Sequence, residues 1–215
     1  MDIEFFFNER ISFIRQLYET SSNPYKERKR LIEAEEEPYI PPYSEDGEPA
    51  FLNEWLEADE SLHILAYSCI SMLAATLQLY FESWVTQSRR SIDNALKKGV
   101  FKKKGWLAGY MAHFTQHFSI CFENSETDYS LLEEVILARN RIQHPSSIID
   151  LKTHFNVSDL KKIETPLFLS DMAQDEYRFF PPTLHISEEQ LNKAISEVEQ
   201  FVKWFEPEIE KKVFA

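Results

Sequence analysis

The sequence predicts an all-α protein, and three observations predict it. Only four glycines occur in 215 residues, too few for the turns of a β fold of this size. Apolar residues recur at helical spacing through most of the chain. Helix-start signatures precede the periodic runs: Asn23-Pro24, Ser130 with Glu133, and Ser187 with Gln190. The length suits one domain, so residues 1–215 read as a single helical bundle.

The elements follow in order. Ile3, Phe6, Phe7, Ile11, Phe13, Ile14, Leu17 and Tyr18 make an apolar stripe over residues 3–20. Asn23-Pro24 reads as an N-cap and first-turn proline opening a second, charged helix to about Glu37. Its basic residues precede its acidic ones, the reverse of what the helix dipole favours, so it must lean on tertiary contacts. Pro38, Pro41, Pro42, Asp46-Gly47 and Pro49 mark a loop over residues 38–49. A short helix around Asn53–Leu56 and a long one from about Glu60 to Lys97 come next.

Residues 62–81 are apolar almost all round. His63, Ser68, Ser71, Thr76 and Gln78 interrupt them, which favours a buried bundle helix over a membrane span. A helix over 104–123 carries Trp106, Tyr110, Phe114 and Phe118. Ser130 and Glu133 form a capping-box pattern for the following helix, which stops before Pro145. Periodicity is lost over 163–186. The runs Leu167-Phe168-Leu169 and Tyr177-Arg178-Phe179-Phe180, among prolines, predict an irregular insertion or a small β-hairpin. Ser187 and Gln190 cap a last helix to about Lys212, with Pro207 a site for a kink.

Composition narrows the function. A net charge of −13 excludes indiscriminate nucleic-acid binding and requires a local basic patch for any RNA contact. Arg89, Arg90, Lys97, Lys98, Lys102, Lys103 and Lys104 supply one between residues 89 and 104, against Asp93 alone, with Phe101 and Trp106 as stacking surfaces. The patch reads equally as a solvated helix end. Cys69 and Cys121 lie in apolar surroundings without metal-type spacing and read as reduced core residues. Asp2 and Glu4 break any signal-peptide pattern, so the expected location is cytoplasmic and no membrane partner is expected. No cofactor motif is present. His113 and His117 have a metal-capable spacing, but Phe114 stands where a metalloprotease Glu belongs, so packing is the better reading and no metal is expected.

The residues that carry chemistry are Arg139, Asn140 and His144, in Arg139-Asn140-Arg141-Ile142-Gln143-His144 before Pro145. Arg offers a planar fork for phosphate oxygens, and imidazole moves protons near neutrality. Asn140, four residues before His144, shares a helix face with it. Chance gives about 0.01 occurrences of an Arg-Asn pair with His at this spacing in such a chain. A looser match, Arg178 to His185, crosses two prolines and lacks the helix-end context. The bland alternative is an ordinary helix stop: Arg suits the dipole there, and His before Pro ends a helix.

The Arg-Asn-x3-His pattern at a late helix end resembles the marker of the HEPN superfamily, with Arg139, Asn140 and His144 in its three places. The resemblance covers those residues and the general helical architecture. It implies a HEPN-like bundle and, for many members, a metal-independent endoribonuclease acting as a toxin or in phage defence. It also implies a homodimer that brings two motifs together across a cleft, an antitoxin protein as partner for toxin members, and RNA as substrate. One toxin subgroup has a Tyr two residues after the His, which its antitoxin modifies; Ser146 stands there in this chain. Other members are non-catalytic and bind RNA, a nucleotide or a protein, which is the alternative expectation. Chemistry alone also asks for two copies, because acid and base together need two imidazoles and the motif supplies one.

Overall fold

The computed structural model describes residues 2–43, 49–145, 153–169 and 182–214. Asp46-Gly47, Ser146 and Tyr177-Arg178-Phe179-Phe180 lie outside the described residues. The first helix, α1 (Ile3–Glu33), starts on Asp2, whose carboxylate accepts the Phe5 amide at 2.9 Å. It runs through Pro24 without the break that Asn23-Pro24 predicts. An interior proline costs about 3 kcal/mol, and packing on both sides of it outweighs that. Phe7, Ile11, Ile14 and Tyr18 are buried before the proline. Beyond it Lys29 reaches Asp59 at 2.5 Å and Lys26 reaches Glu188 at 2.6 Å. The charged half of the helix therefore holds by its ion pairs to neighbouring elements.

The second helix, α2 (Leu52–Gln87), fuses the two helices expected over 53–97 and stops ten residues early. Arg89 takes a positive φ of 54° and turns the chain. The basic segment then winds as Asn94–Leu96, a π-helical turn Lys97–Phe101, and Lys102–Lys104. It ends at Gly105, whose φ of 95° and ψ of 173° suit glycine alone. Helix α3 (Trp106–Phe118) follows and ends on Ser119, short of the predicted residue 123.

Helix α4 (Tyr129–Gln143) carries the motif. Its N-cap is Asp128, which accepts the Leu131 amide at 3.0 Å, and not Ser130. Ser130 is used elsewhere: its hydroxyl accepts the Glu164 amide at 2.9 Å. A single turn, α5 (Val157–Leu160), is boxed by Asn156. The last helix, α6 (Glu188–Val213), opens on the Ser187–Gln190 capping box that the sequence predicts, with Pro207 inside it. Around α5 and before α6 the described residues form isolated antiparallel bridges, His154 with Thr183 and Leu169 with Leu184, and no longer strand. Phe155, Ile163, Phe168, Leu184 and Ile186 are buried beneath this cover.

The architecture is an all-α bundle with α2 inside it. Helices α1, α4 and α6 pack on α2, and α3 lies against its C-terminal end. Phe81 marks that end: its ring stacks on Tyr110 of α3 at 5.1 Å and meets Phe201 and Phe205 of α6. By length and composition α2 could cross a membrane, yet 56% of its most apolar stretch is buried inside the protein. The remainder faces outward.

Candidate functional site

The site begins where the burial of α4 ends. From Leu131 to Ala138 every residue but Glu133 is buried. Arg139 and Asn140 are half-buried, and His144 is exposed. The His144 amide still closes a turn on the Asn140 carbonyl at 3.1 Å. Its own φ of −129° and ψ of 66° leave the helix, as a residue before proline must. Arg139 donates from Nη1 to Asn140 Oδ1 at 2.9 Å. A guanidinium, an amide and an imidazole thus stand together on the last turn, with the imidazole in solvent.

What fixes this turn is its second arginine. Arg141 grips Asp159 of α5 in a two-point pair, Nε to Oδ2 at 2.6 Å and Nη2 to Oδ1 at 3.1 Å. Asp159 is only 4% exposed and also accepts the Asn156 amide at 3.2 Å. Arg141 is therefore committed to Asp159, while Arg139 forms no ion pair among the described residues. No local spacing announces Asp159, which lies eighteen residues along the chain.

Glu133 and Glu134, adjacent in α4, do separate work. Glu134 is fully buried and accepts the Leu167 and Phe168 amides, each at 2.8 Å. Burial pushes its carboxyl up to about 7, against the opposing pull of those amides. Glu133 lies 3.8 Å from Lys162, and burial raises its carboxyl too. A Cβ on Gly105 would sit 3.9 Å from Glu133 Oε1, so the end of the basic segment rests against α4. Glu133, Asn140 and His144 share one face of that helix by their spacing. Glu133 precedes Arg139 by six residues, about 9 Å along the axis.

Lys97, Lys98, Lys102, Lys103 and Lys104 are exposed, and among the described residues none forms an ion pair. The aromatic residues beside them are used differently from the expectation. Phe101 packs on Tyr110 at 5.2 Å and against Gly109, and Trp106 packs on Phe81 at 6.3 Å. Both anchor the segment to the core instead of offering stacking surfaces.

His113 is fully buried, and neither of its ring nitrogens has a hydrogen-bond partner among the described residues. Burial lowers its pKa, with the nearby His117 adding to the effect. His117 faces Asp93 at 3.4 Å, and Gln116 donates to that carboxylate at 2.9 Å. Among the described residues no three His, Cys, Asp or Glu side chains are grouped to hold a metal ion. His117 and Gln116 dock the start of the basic segment on α3, and His113 packs inside. Cys69 is buried, as expected; Cys121 is exposed, because α3 ends before reaching it.

The chain stands apart in comparison. It matches no protein-family model, no curated protein and no solved structure. The functional reading therefore rests on the residues themselves.

Two outcomes follow for stability. Arg141→Met strands the buried Asp159 carboxylate and should cost about 3 kcal/mol in urea unfolding. The double change Arg141→Met with Asp159→Leu should recover most of that loss. For Glu134, the folded state keeps a proton that the unfolded chain releases near 4.5. Between 4.5 and about 7 the folded state thus binds more protons, and stability falls as pH rises. In thermal melts the Tm advantage of the wild type over Glu134→Gln should shrink from pH 5 to pH 7.

Proposed function

We propose that this protein is a metal-independent endoribonuclease of HEPN type, working as a homodimer on RNA, in a toxin or phage-defence setting. The observation that carries the proposal is the last turn of α4. Arg139, Asn140 and His144 gather where the helix leaves the core, with the imidazole exposed. The pair of Arg141 with buried Asp159 holds that turn in place, so the motif sits on a rigid support rather than a frayed end.

The chemistry is transesterification. One His144 removes the proton from a ribose 2′-hydroxyl, and the oxygen attacks the adjacent phosphorus. The bond to the 5′-oxygen breaks, and a second imidazole, His144 of the other subunit, protonates that leaving oxygen. Products are a 2′,3′-cyclic phosphate and a 5′-hydroxyl. Arg139 stabilises the charge that builds on the phosphoryl oxygens. Asn140, already bonded to Arg139, orients the guanidinium. Lys97, Lys98, Lys102, Lys103 and Lys104 would guide the phosphate backbone toward α4, against which their segment rests.

A second reading has one observation in its favour. The unpaired lysines alone suffice to hold a nucleic-acid strand, so the protein would bind RNA without cutting it.

Purified protein is expected to cleave RNA in EDTA and leave cyclic-phosphate ends. His144→Ala and Arg139→Ala should each lower the rate at least 100-fold while remaining folded. Lys102→Glu with Lys103→Glu should weaken binding and flatten its salt dependence without changing the product ends. Binding without cleavage by the wild type would favour the second reading.

A further inference from the structure

Between α1 and α2 lies a recess that the proposed chemistry does not use. The two helices run antiparallel, since Phe7 meets Tyr80 at 5.3 Å while Lys29 meets Asp59 at 2.5 Å. Near the start of α1 they part around a cavity of about 300 Å³, the lower end of the range for small-molecule sites. Its walls run from Ile3 to Arg10 on α1 and from Thr76 to Ser83 on α2. Each wall spans seven residues of helix, about 10 Å. The antiparallel register sets Arg10 and Thr76 at one end of the slot, and Ile3 and Ser83 at the other. Phe7, Thr76 and Tyr80 are buried and form its floor, while Phe6 and Leu79 stay exposed at its rim.

The polar groups on these walls decide what fits. The Thr76 hydroxyl donates to the Met72 carbonyl at 2.8 Å, and the Ser83 hydroxyl to the Leu79 carbonyl at 2.7 Å. The Tyr80 hydroxyl donates to Glu206, which also takes the Trp84 indole N–H. Every hydroxyl proton on the walls is therefore used inside the protein. Arg10 is the one charged side chain lining the cavity, and it forms no ion pair among the described residues. Its exposed guanidinium is left as the free donor.

A ligand with hydroxyls along its length, such as a sugar or a nucleoside, would give up hydrogen bonds to water and find no replacements here. A hydrocarbon tail that ends in an anion matches, with the tail on Phe6, Phe7 and Leu79 and the head on Arg10. The acids of the neighbourhood keep the head at that end. Glu4 stands beside Ile3, and Glu206 is held by Tyr80 and Trp84, toward the Ser83 end. One guanidinium offers two parallel N–H bonds to a planar carboxylate. A dianionic phosphate calls for more cations than one, in a chain whose net charge is −13. A slot of about 10 Å takes a tail the length of octanoate.

We propose that the cavity between α1 and α2 binds a medium-chain monocarboxylate, its head paired with Arg10 and its tail running along Phe7 and Leu79 toward Ile3 and Ser83. The site is built from α1 and α2 alone and stands independently of the nuclease reading.

Isothermal titration calorimetry of the full chain tests it, with sodium octanoate below its micelle concentration as the probe and helicity followed by circular dichroism. Octanoate is expected to bind saturably, one per chain. Butyrate should bind at least about tenfold more weakly, because its short tail leaves the apolar walls uncovered. Octylamine, the same tail with a cationic head, should show no saturable binding. Arg10→Gln should weaken octanoate about tenfold while remaining folded. Ser83→Phe, which fills the tail end of the slot, should weaken it as well, and Val157→Glu, at an exposed site on α5, should bind as the wild type does. Absence of saturable octanoate binding overturns the proposal. So does octylamine binding as tightly as octanoate, or unchanged octanoate affinity in folded Arg10→Gln or Ser83→Phe. Attachment of the wild type to neutral vesicles without saturable octanoate binding would assign the recess to a lipid surface and also overturn it. A protein that binds octanoate through Arg10 but cuts no RNA would end the nuclease reading and leave this site standing.

Discussion

Burying α2 is the constraint from which the rest of the structure follows. A helix with 21 consecutive uncharged residues, Ser61 to Phe81, cannot stand in water on all sides. α1, α4 and α6 pack on it, and α3 closes its C-terminal end around Phe81. This demand explains why α1 passes through Pro24 without breaking: the helix is held at both ends by what it covers. It also explains why α4 is buried on nearly every side until Ala138. The motif lies just beyond that point, because only there does the helix meet solvent.

Three buried or half-buried acids in the bundle are matched by donors. Glu206 takes the Trp84 indole N–H at 2.9 Å and the Tyr80 hydroxyl. Glu134 takes two amides of the cover, and Asp159 takes a guanidinium and an amide. Each acid fastens a segment without regular structure, or an end of a helix, to the core. Burying a carboxylate is expensive unless its oxygens are matched, so these contacts also specify where the cover and α5 must sit. The last turn of α4 inherits its position from that arrangement.

Much of this was legible in the sequence. The scarcity of glycine and the helical periodicity foretold an all-α bundle, and Ser187 with Gln190 foretold the start of α6 to the residue. Helix ends governed by distant contacts were not legible. Asn23-Pro24 carries the local grammar of a new helix, but the pairs of Lys26 and Lys29 with distant acids override it. Ser130 with Glu133 matches a capping box, yet Asp128 caps α4 because Ser130 and Glu133 are drawn to Glu164 and Lys162. At the candidate site, the sequence singled out Arg139, Asn140 and His144, which fall at the end of α4 where burial ceases. It gave no sign of Asp159, since an ion pair across eighteen residues leaves no periodic trace. Phe101 and Trp106 beside a basic run suggested stacking surfaces, and only the packing on Gly109, Tyr110 and Phe81 assigns them to the core.

The central claim is that the motif works in pairs, one imidazole as base and the other as acid. The most direct test is the specific rate of RNA cleavage in EDTA as a function of protein concentration, taken through the dimer dissociation midpoint. The account predicts a specific rate that vanishes at high dilution and rises to a plateau as dimers form. A specific rate that stays constant into the monomer range would contradict it, because a single chain would then be supplying both proton transfers.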